Sequence, residues 1–361
     1  MTLSRRDMLA RAGGALIASA APASTRVSRR DFRVLTSDGL HIHVRELDPT
    51  RDSGRRARGI ILLHGARVPG LASFDLAVPG GSFAEDLALR VGRPVYVMDA
   101  RNYGASDRVA AMAQPPLTHR PQSRAYEVVR DIDAAVREVA RLTALPAVSL
   151  IGWATGGAWA SYYASLWPER VEQLVTLNTL YGASTSHSLL GPASDTADPA
   201  HPDRLNPAIG AYALYTGATL LPGWDRSIPE VDKTQWRDPA VAAAYVAAAL
   251  ASDPQSASHQ PPAFRAPMGA IEDSFYQAVG RRIFDASSMT SDTLVVRSER
   301  DFWSRPEDAS AFIHDAVRTS SIRLLSLPEA THFVHLDRPE RGRDRLLREL
   351  EVFLRVRSSP S

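Results

Sequence analysis

The 361 residues contain 44 % hydrophobic side chains, enough for one large α/β domain with an inserted subdomain, and no cysteine, which excludes disulfides, thiolate metal sites and a cysteine nucleophile. The formal net charge is +2, and removing residues 1–23, with three arginines against one aspartate, leaves the rest of the chain near zero. Without a basic excess, the composition predicts no nucleic-acid partner.

The first 23 residues have the pattern of an export signal. Residues 4–9, SRRDML, resemble the twin-arginine motif, and a weakly apolar run follows at residues 12–21. Candidate A-x-A cleavage sites lie at residues 18–20 and 21–23. The apolar run is too short to span a membrane. We therefore expect export to the periplasm or the medium through a twin-arginine-type signal, without stable membrane insertion.

Strand-like and helix-like segments alternate over the next part of the chain. Alternating residues 32–35 and 42–45 flank the turn Ser37-Asp38-Gly39 and predict a β-hairpin. Apolar runs that predict buried strands lie at 59–63, 95–98, 147–151 and 174–177, with helix-like segments at 82–91 and 126–142. This alternation predicts an α/β fold with a doubly wound, mostly parallel sheet.

The pattern changes between about residues 181 and 282. Residues 206–220 and 239–251 predict helices, and the Pro-rich residues 261–267 predict a linker, so we interpret this block as a helical cap inserted after the sixth strand. The α/β pattern then resumes with strands at 293–296 and 322–325 and helices at 306–317 and 339–353. The predicted organisation is a signal at 1–23, a core at 24–180 and 283–361, and a cap at 181–282.

Three segments with the residues for acyl chemistry follow predicted strands. Residues 152–157, GWATGG, lie between a buried strand and a helix, where flanking glycines permit a sharp turn that forces the side chain of Ala154 out above the sheet. Asp301 follows the strand at 293–296, and His332 follows the strand at 322–325. The order of elbow, acid and histidine is typical of hydrolases with a nucleophile elbow.

With these motifs, the sequence resembles the α/β-hydrolase superfamily over nearly all of the chain after the signal. The further hallmarks are His64-Gly65, the loop at residues 99–107, Glu299-Arg300-Asp301 and Thr331-His332-Phe333. The resemblance implies an α/β-hydrolase fold, with a mostly parallel eight-stranded sheet, helices on both faces and an inserted helical cap. It also implies that Asp301 orients His332, that His332 acts as general base and then acid, and that the N–H groups of Ala66 and Thr155 form an oxyanion hole.

The nucleophile position departs from the family pattern, because Ala154 stands where family enzymes carry serine, aspartate or, in a few, cysteine. Alanine cannot form an acyl-enzyme, and we expect Ser149 and Ser161 to lie in a strand and a helix, where neither replaces it. Three explanations stay open. The first is a serine-to-alanine change that leaves a hydrolase inactive or nearly so; the others are water activation by His332 alone, and a non-catalytic ligand-binding protein.

With serine in place of Ala154, the expected activity is carboxylic ester hydrolysis on a small or medium hydrophobic substrate. Lactone or amide hydrolysis, C–C hydrolysis and acyl transfer are alternatives on the same site. Candidate substrate contacts are Tyr103, Trp153, Trp303 and Arg67, an arginine that is either a carboxylate contact or a solvated loop residue.

The sequence offers no further ligand motif. His41 and His43 share a strand face without a third ligand nearby, which favours a surface pair over a metal site. No P-loop or G-x-G-x-x-G follows a predicted strand. We therefore expect no metal and no cofactor, and a small ester-like molecule as the partner.

Overall fold

The computed structural model describes residues 27–49, 57–185 and 187–355. The predicted signal at residues 1–23 lies outside these residues, so twin-arginine export stays a prediction. Across the described ranges, none of the helices has the length and apolarity of a membrane span.

The described residues form twelve strands and nine α-helices. The strands are β1 (Ser28–Leu35), β2 (His41–Asp48), β3 (Ile60–Leu63), β4 (Val95–Met98), β5 (Val148–Trp153), β6 (Val171–Leu177), β7 (Ala197–Asp198), β8 (His201–Leu205), β9 (Tyr212–Thr216), β10 (Ala263–Pro267), β11 (Asp292–Ser298) and β12 (Ile322–Leu327). The helices are α1 (Gly70–Phe74), α2 (Phe83–Val91), α3 (Ala125–Thr143), α4 (Thr155–Leu166), α5 (Gly217–Ser227), α6 (Pro239–Ala251), α7 (Gly269–Ala278), α8 (Pro306–Asp315) and α9 (Arg343–Leu354).

Eight strands form the main sheet, in the order β1-β2-β4-β3-β5-β6-β11-β12. The predicted hairpin is confirmed as the antiparallel pair β1–β2, and β2 also pairs antiparallel with β4. The remaining pairs are parallel. Every residue of β3, β4 and β5 is buried, as expected when helices cover both faces of a parallel sheet. The predicted mostly parallel, eight-stranded sheet is therefore confirmed.

The helices of the core begin and end where local chemistry sets their ends. Helix α2 begins after Ser82, whose hydroxyl accepts from the N–H of Glu85, and it ends at Gly92 in the left-handed conformation (φ 63°). Helix α3 buries Val128, Ile132 and further residues three or four apart against the sheet. Both helices lie where the sequence predicted them, within a residue or two.

The segment between β6 and β11 is less helical than expected. The predicted helix at 206–220 is wrong, because residues 212–216 form β9 and helix α5 begins only at Gly217. The predicted linker at 261–267 is also wrong, because Ala263–Pro267 is β10, fully buried and paired antiparallel with β9. The partner strands lie almost fifty residues apart, so no local pattern shows the pairing. Helix α6 confirms the prediction at 239–251, and the limits 181–282 of the cap stay a prediction.

This inserted segment packs over the carboxyl ends of the sheet strands. The ring of Trp224 in α5 stacks on Phe333, just after β12, with ring centroids 5.1 Å apart. Tyr245 in α6 meets the same Phe333 ring edge-on at 6.0 Å. Parallel strands end at one edge of a sheet, and ligands bind at that edge. The fold therefore encloses the loops after β3, β5, β11 and β12 between the sheet and the insertion.

Candidate active site

The turn between β5 and α4 is sharp and strained at Ala154. Its backbone has φ 52° and ψ −119°, a conformation that L-residues rarely adopt. The turn needs glycine beside it, since a Cβ on Gly156 would lie 2.3 Å from the carbonyl oxygen of Leu63. The Cβ of Ala154 lies 3.5 Å from the position that a Cβ on Gly65 would take, and Ala154 lines a cavity. The elbow therefore presents its central side chain beside the loop after β3.

Asp301 and His332 form a hydrogen-bonded pair at the same cavity. Their Oδ1 and Nδ1 atoms are 2.7 Å apart, and because a carboxylate only accepts, Nδ1 of the imidazole carries the proton. The carboxylate also accepts from the N–H groups of Trp303 and Ser304, both at 2.8 Å, and from the Ser304 hydroxyl. Burial favours the protonated acid, but His332 and these donors outweigh it and hold the pKa of Asp301 below its ordinary value. In this pair the Asp301 carboxylate is ionised and fixes the tautomer of the His332 imidazole.

The imidazole of His332 is held in one orientation. Trp153 donates its indole N–H to the His332 carbonyl at 2.9 Å, and its ring centroid lies 5.2 Å from the imidazole. Phe302 and Phe333 approach the imidazole at 4.9 and 5.4 Å. Nε2 has no hydrogen-bond partner among the described residues, and His332 lines the cavity. The nitrogen that is free to exchange a proton therefore belongs to a ring that packing immobilises.

The two amides predicted for an oxyanion hole belong to cavity residues. Ala66 and Thr155 both line the cavity, and within residues 27–49, 57–185 and 187–355 neither N–H has an acceptor. Thr155 is the first residue of α4, where N–H groups are unpaired and the helix dipole favours negative charge. Tyr103 donates its hydroxyl to the carbonyl of Ala66 at 2.6 Å, which restrains the Ala66–Arg67 peptide next to the one that carries the Ala66 N–H. Both amides are available to a ligand.

The cavity has a volume of about 350 Å³ and is mainly apolar. Of the predicted contacts, Arg67, Trp153 and Trp303 line it, whereas Tyr103 is buried behind Ala66 and does not. Sequence reasoning did not assign a further set of lining residues, most of them from the insertion: Leu189, Leu190, Tyr215, Leu220, Arg226, Tyr245, Met268, Ile271, Phe302 and Phe333. Phe302 and Phe333 directly follow Asp301 and His332, so adjacency alone could have predicted these two.

Comparison with known proteins agrees with this fold. A family model of the alpha/beta hydrolase fold matches residues 60–339. The chain belongs to the α/β-hydrolase-fold family. No curated protein matches it in sequence.

Solved structures of hydrolases share the fold at low sequence identity. The esterase EaEST from Exiguobacterium antarcticum is 17 % identical, with a TM-score of 0.54, over 89 % of this chain and 98 % of that one. A thermophilic esterase from Thermogutta terrifontis, malate bound, is 17 % identical, with a TM-score of 0.52, over 90 % and 98 %. A serine-to-alanine mutant of the meta-cleavage product hydrolase from Pseudomonas fluorescens IP01 is 15 % identical, with a TM-score of 0.56, over 89 % and 96 %.

The hydroxyl groups nearest to the elbow in sequence are engaged elsewhere. Ser149 lies within β5 and bonds to Gln173 at 2.8 Å. Ser161 lies within α4 and donates to the Gly157 carbonyl at 2.8 Å. The Thr155 hydroxyl lies 3.3 Å from that of Ser274. None of the three hydroxyl groups takes the place of a side-chain nucleophile at position 154.

The prediction that His41 and His43 form a surface pair is correct for His41 and wrong for His43. His41 is exposed, but His43 is buried, with Nδ1 3.2 Å from the carboxylate of Asp99. Burial lowers the pKa of His43, but Asp99 and Asp31 outweigh it and raise the pKa above its ordinary value. Among the described residues, no group of three or more His, Asp or Glu side chains is placed to hold a metal ion.

Proposed function

We propose that the chain is the alanine form of a serine-hydrolase-type enzyme that cleaves a small or medium hydrophobic carboxylic ester. One observation carries the proposal: a strained elbow directs residue 154 into the cavity that also contains a carboxylate-fixed imidazole and two unpaired amides. These are the parts that acyl transfer needs, apart from the nucleophile.

A serine at position 154 would complete the reaction path. His332 would take the proton from the serine Oγ as this atom attacks the ester carbonyl, and the amides of Ala66 and Thr155 would bind the oxyanion. As the C–O bond breaks, His332 would return the proton to the leaving alcohol. Water, deprotonated by His332, would then attack the acyl-enzyme, and the acid would leave as the serine regains its proton. Asp301 would stabilise the imidazolium in both halves of the reaction.

The cavity supports a substrate of modest size with apolar parts. Its volume of about 350 Å³ lies near the lower end of ordinary ligand sites, and aromatic and aliphatic side chains form most of its wall. Esterases occur among the structural neighbours, which makes ester chemistry the first to test.

The retained strain favours a replaced serine over a binding protein that never had one. A non-glycine residue at positive φ costs about 1–3 kcal/mol, and a site that only binds does not need a side chain presented to the cavity by a strained elbow. A buried aspartate fixed on an imidazole likewise serves proton transfer rather than ligand packing.

The test compares the alanine form with the variant Ala154→Ser, the serine form, on a short-chain chromogenic ester. We expect the serine form to hydrolyse the ester, with a kcat higher than that of the alanine form by a factor on the order of 10⁴ or more. Ala243→Ser makes the same chemical change on the exposed face of α6 and should leave the alanine form inactive. Equal rates in both forms would instead assign the reaction to His332 and water, and no turnover of any ester by either form would overturn the proposal.

A further inference from the structure

Two arginines stand out in the wall of the otherwise apolar cavity. Its two basic side chains besides the imidazole of His332 are Arg67 and Arg226, and no aspartate or glutamate lines it. Arg67 follows the oxyanion residue Ala66 in the loop after β3, and Arg226 lies in the last turn of α5. One arginine therefore belongs to the core and the other to the insertion; both side chains are exposed to solvent, and both line the cavity.

Neither arginine is neutralised by the protein. Within the described parts of the chain, no carboxylate lies within 4.0 Å of either guanidinium, whereas the buried Arg101 and Arg265 are each paired with an aspartate. Neither Arg67 nor Arg226 donates a side-chain hydrogen bond to another described residue. Two full positive charges with unused N–H donors therefore border the ligand space.

Aromatic rings hold both guanidinium groups in place. The Cζ atom of Arg67 lies 5.0 Å from the ring centroid of Tyr215, and that of Arg226 lies 5.5 Å from the ring centroid of Phe302. Stacking on a ring restrains the guanidinium plane while its N–H edge stays free for a carboxylate. Both rings belong to the cavity wall, and the Phe302 ring is also 4.9 Å from the imidazole of His332. The arginines are thus positioned groups beside the reacting centre.

A buried hydroxyl group adds a third donor. Tyr245 lines the cavity, is only 3 % exposed, and its hydroxyl has no hydrogen-bond partner among the described residues. Burial raises the pKa of Tyr245, and the positive charge of Arg67 acts against this shift, so that charge reaches the phenol. The Tyr245 hydroxyl is therefore available to donate to a ligand in the cavity.

We propose that the substrate is an ester that also carries a carboxylate, and that Arg67 and Arg226 bind this carboxylate at the cavity wall. That the substrate is an ester rests on the proposed function, whereas the carboxylate-binding site does not depend on it. A neutral ester would occupy the cavity while leaving two stacked cations without a counter-charge. A carboxylate a few carbon atoms from the ester carbonyl satisfies the arginines, while the carbonyl oxygen reaches the amides of Ala66 and Thr155.

Binding to the alanine form tests the anion site without any catalysis. Titration calorimetry would compare monomethyl glutarate, which has one free carboxylate, with dimethyl glutarate, which has none. We expect the monoester to bind at least about tenfold more tightly, and each of Arg67→Gln and Arg226→Gln to remove most of that preference. Arg318→Gln, which removes an exposed and unpaired arginine in the turn before β12, should leave the preference unchanged. Equal binding of the two esters, or a preference that survives in the double variant, would overturn the inference.

Kinetics of the serine form separate this inference from the proposed function. The matched substrates are the 4-nitrophenyl monoester of glutaric acid and 4-nitrophenyl pentanoate, which differ mainly in the terminal carboxylate. We expect kcat/KM to favour the charged ester about tenfold or more, and the two glutamine variants to lower it for that ester alone. Hydrolysis of both esters without preference would remove the anion site but keep the esterase. Selective binding of the monoester with no hydrolysis would keep the anion site and remove the esterase.

Discussion

Asp337 joins the inserted segment to the loop that carries His332, and we expect it to make stability depend on pH. The carboxylate accepts from the indole N–H of Trp224 at 2.8 Å and from the N–H and hydroxyl of Thr331, both at 2.9 Å. Complete burial favours the neutral acid more strongly than these three donors favour the anion. The pKa of Asp337 is therefore raised from 3.8 to about 7.

The size of the effect follows from this shift in pKa. The folded protein holds the proton of Asp337 more tightly than the unfolded chain, so its contribution is fully present below pH 4 and is lost as the pH rises through 7. A shift of about three units corresponds to about 4 kcal/mol of unfolding free energy. In Asp337→Asn this titration is absent, so the free-energy difference between parent and variant should change by about this amount between pH 8 and pH 4, in favour of the parent at low pH.

Urea unfolding followed by tryptophan fluorescence, at pH values from 4 to 8, measures this difference directly. Other carboxyl groups titrate in both proteins, so their contributions cancel in the difference. Asp195→Asn, at an exposed position in the insertion, controls for the loss of a carboxylate as such. A parent-minus-variant difference that is constant over this range would refute the reasoning, because it would mean that the donors keep Asp337 ionised throughout.

Three further changes test the site and its support. Asp301→Asn in the serine form should lower kcat by a factor on the order of 10³–10⁴ in ester hydrolysis, because the amide no longer fixes the tautomer of the imidazole; a loss under tenfold would contradict this role. Gly156→Ala should destabilise the fold by 3 kcal/mol or more, to be measured by thermal unfolding, because its Cβ would lie 2.3 Å from a carbonyl oxygen of β3. Gly223→Ala, which meets Phe302 only at 3.7 Å, is the matched change and should unfold near the parent temperature. Tyr103→Phe should lower kcat of the serine form about tenfold with little change in KM, since it frees the Ala66–Arg67 peptide that adjoins the oxyanion N–H of Ala66; an unchanged kcat would mean that other contacts hold this loop in place.

Local patterns were enough to predict the sheet and the turn at Ala154. The runs at 59–63, 95–98 and 147–151 are apolar throughout because helices cover both faces of their strands, and this shows in single segments of the sequence. The elbow is also a local feature, since neighbouring glycines permit both the strained backbone and the close approach of β3 and α4.

In the part of the inserted segment that forms β9 and β10, local sequence patterns did not predict the secondary structure. Residues 212–216 have an apolar and aromatic composition that suits a helix or a strand, and the choice is made by β10, which pairs Thr216 with Ala263. Tyr103 is a predicted substrate contact that does not line the cavity, because its hydroxyl is bound to the Ala66 carbonyl, which lies outside its own loop.

The sequence by itself determined the fold family, the order along the chain of the elbow, Asp301 and His332, and the identity of the residue at the elbow, because each depends on a short stretch of chain. Only the tertiary structure decided which side chains share the cavity. Trp153 and His332 are 179 positions apart, yet they are joined by a hydrogen bond. Arg67 and Arg226 come from different parts of the fold and line one cavity because the insertion folds back over the sheet. Contacts of this kind depend on packing between segments that are distant in sequence, and a local pattern of residues does not contain that information.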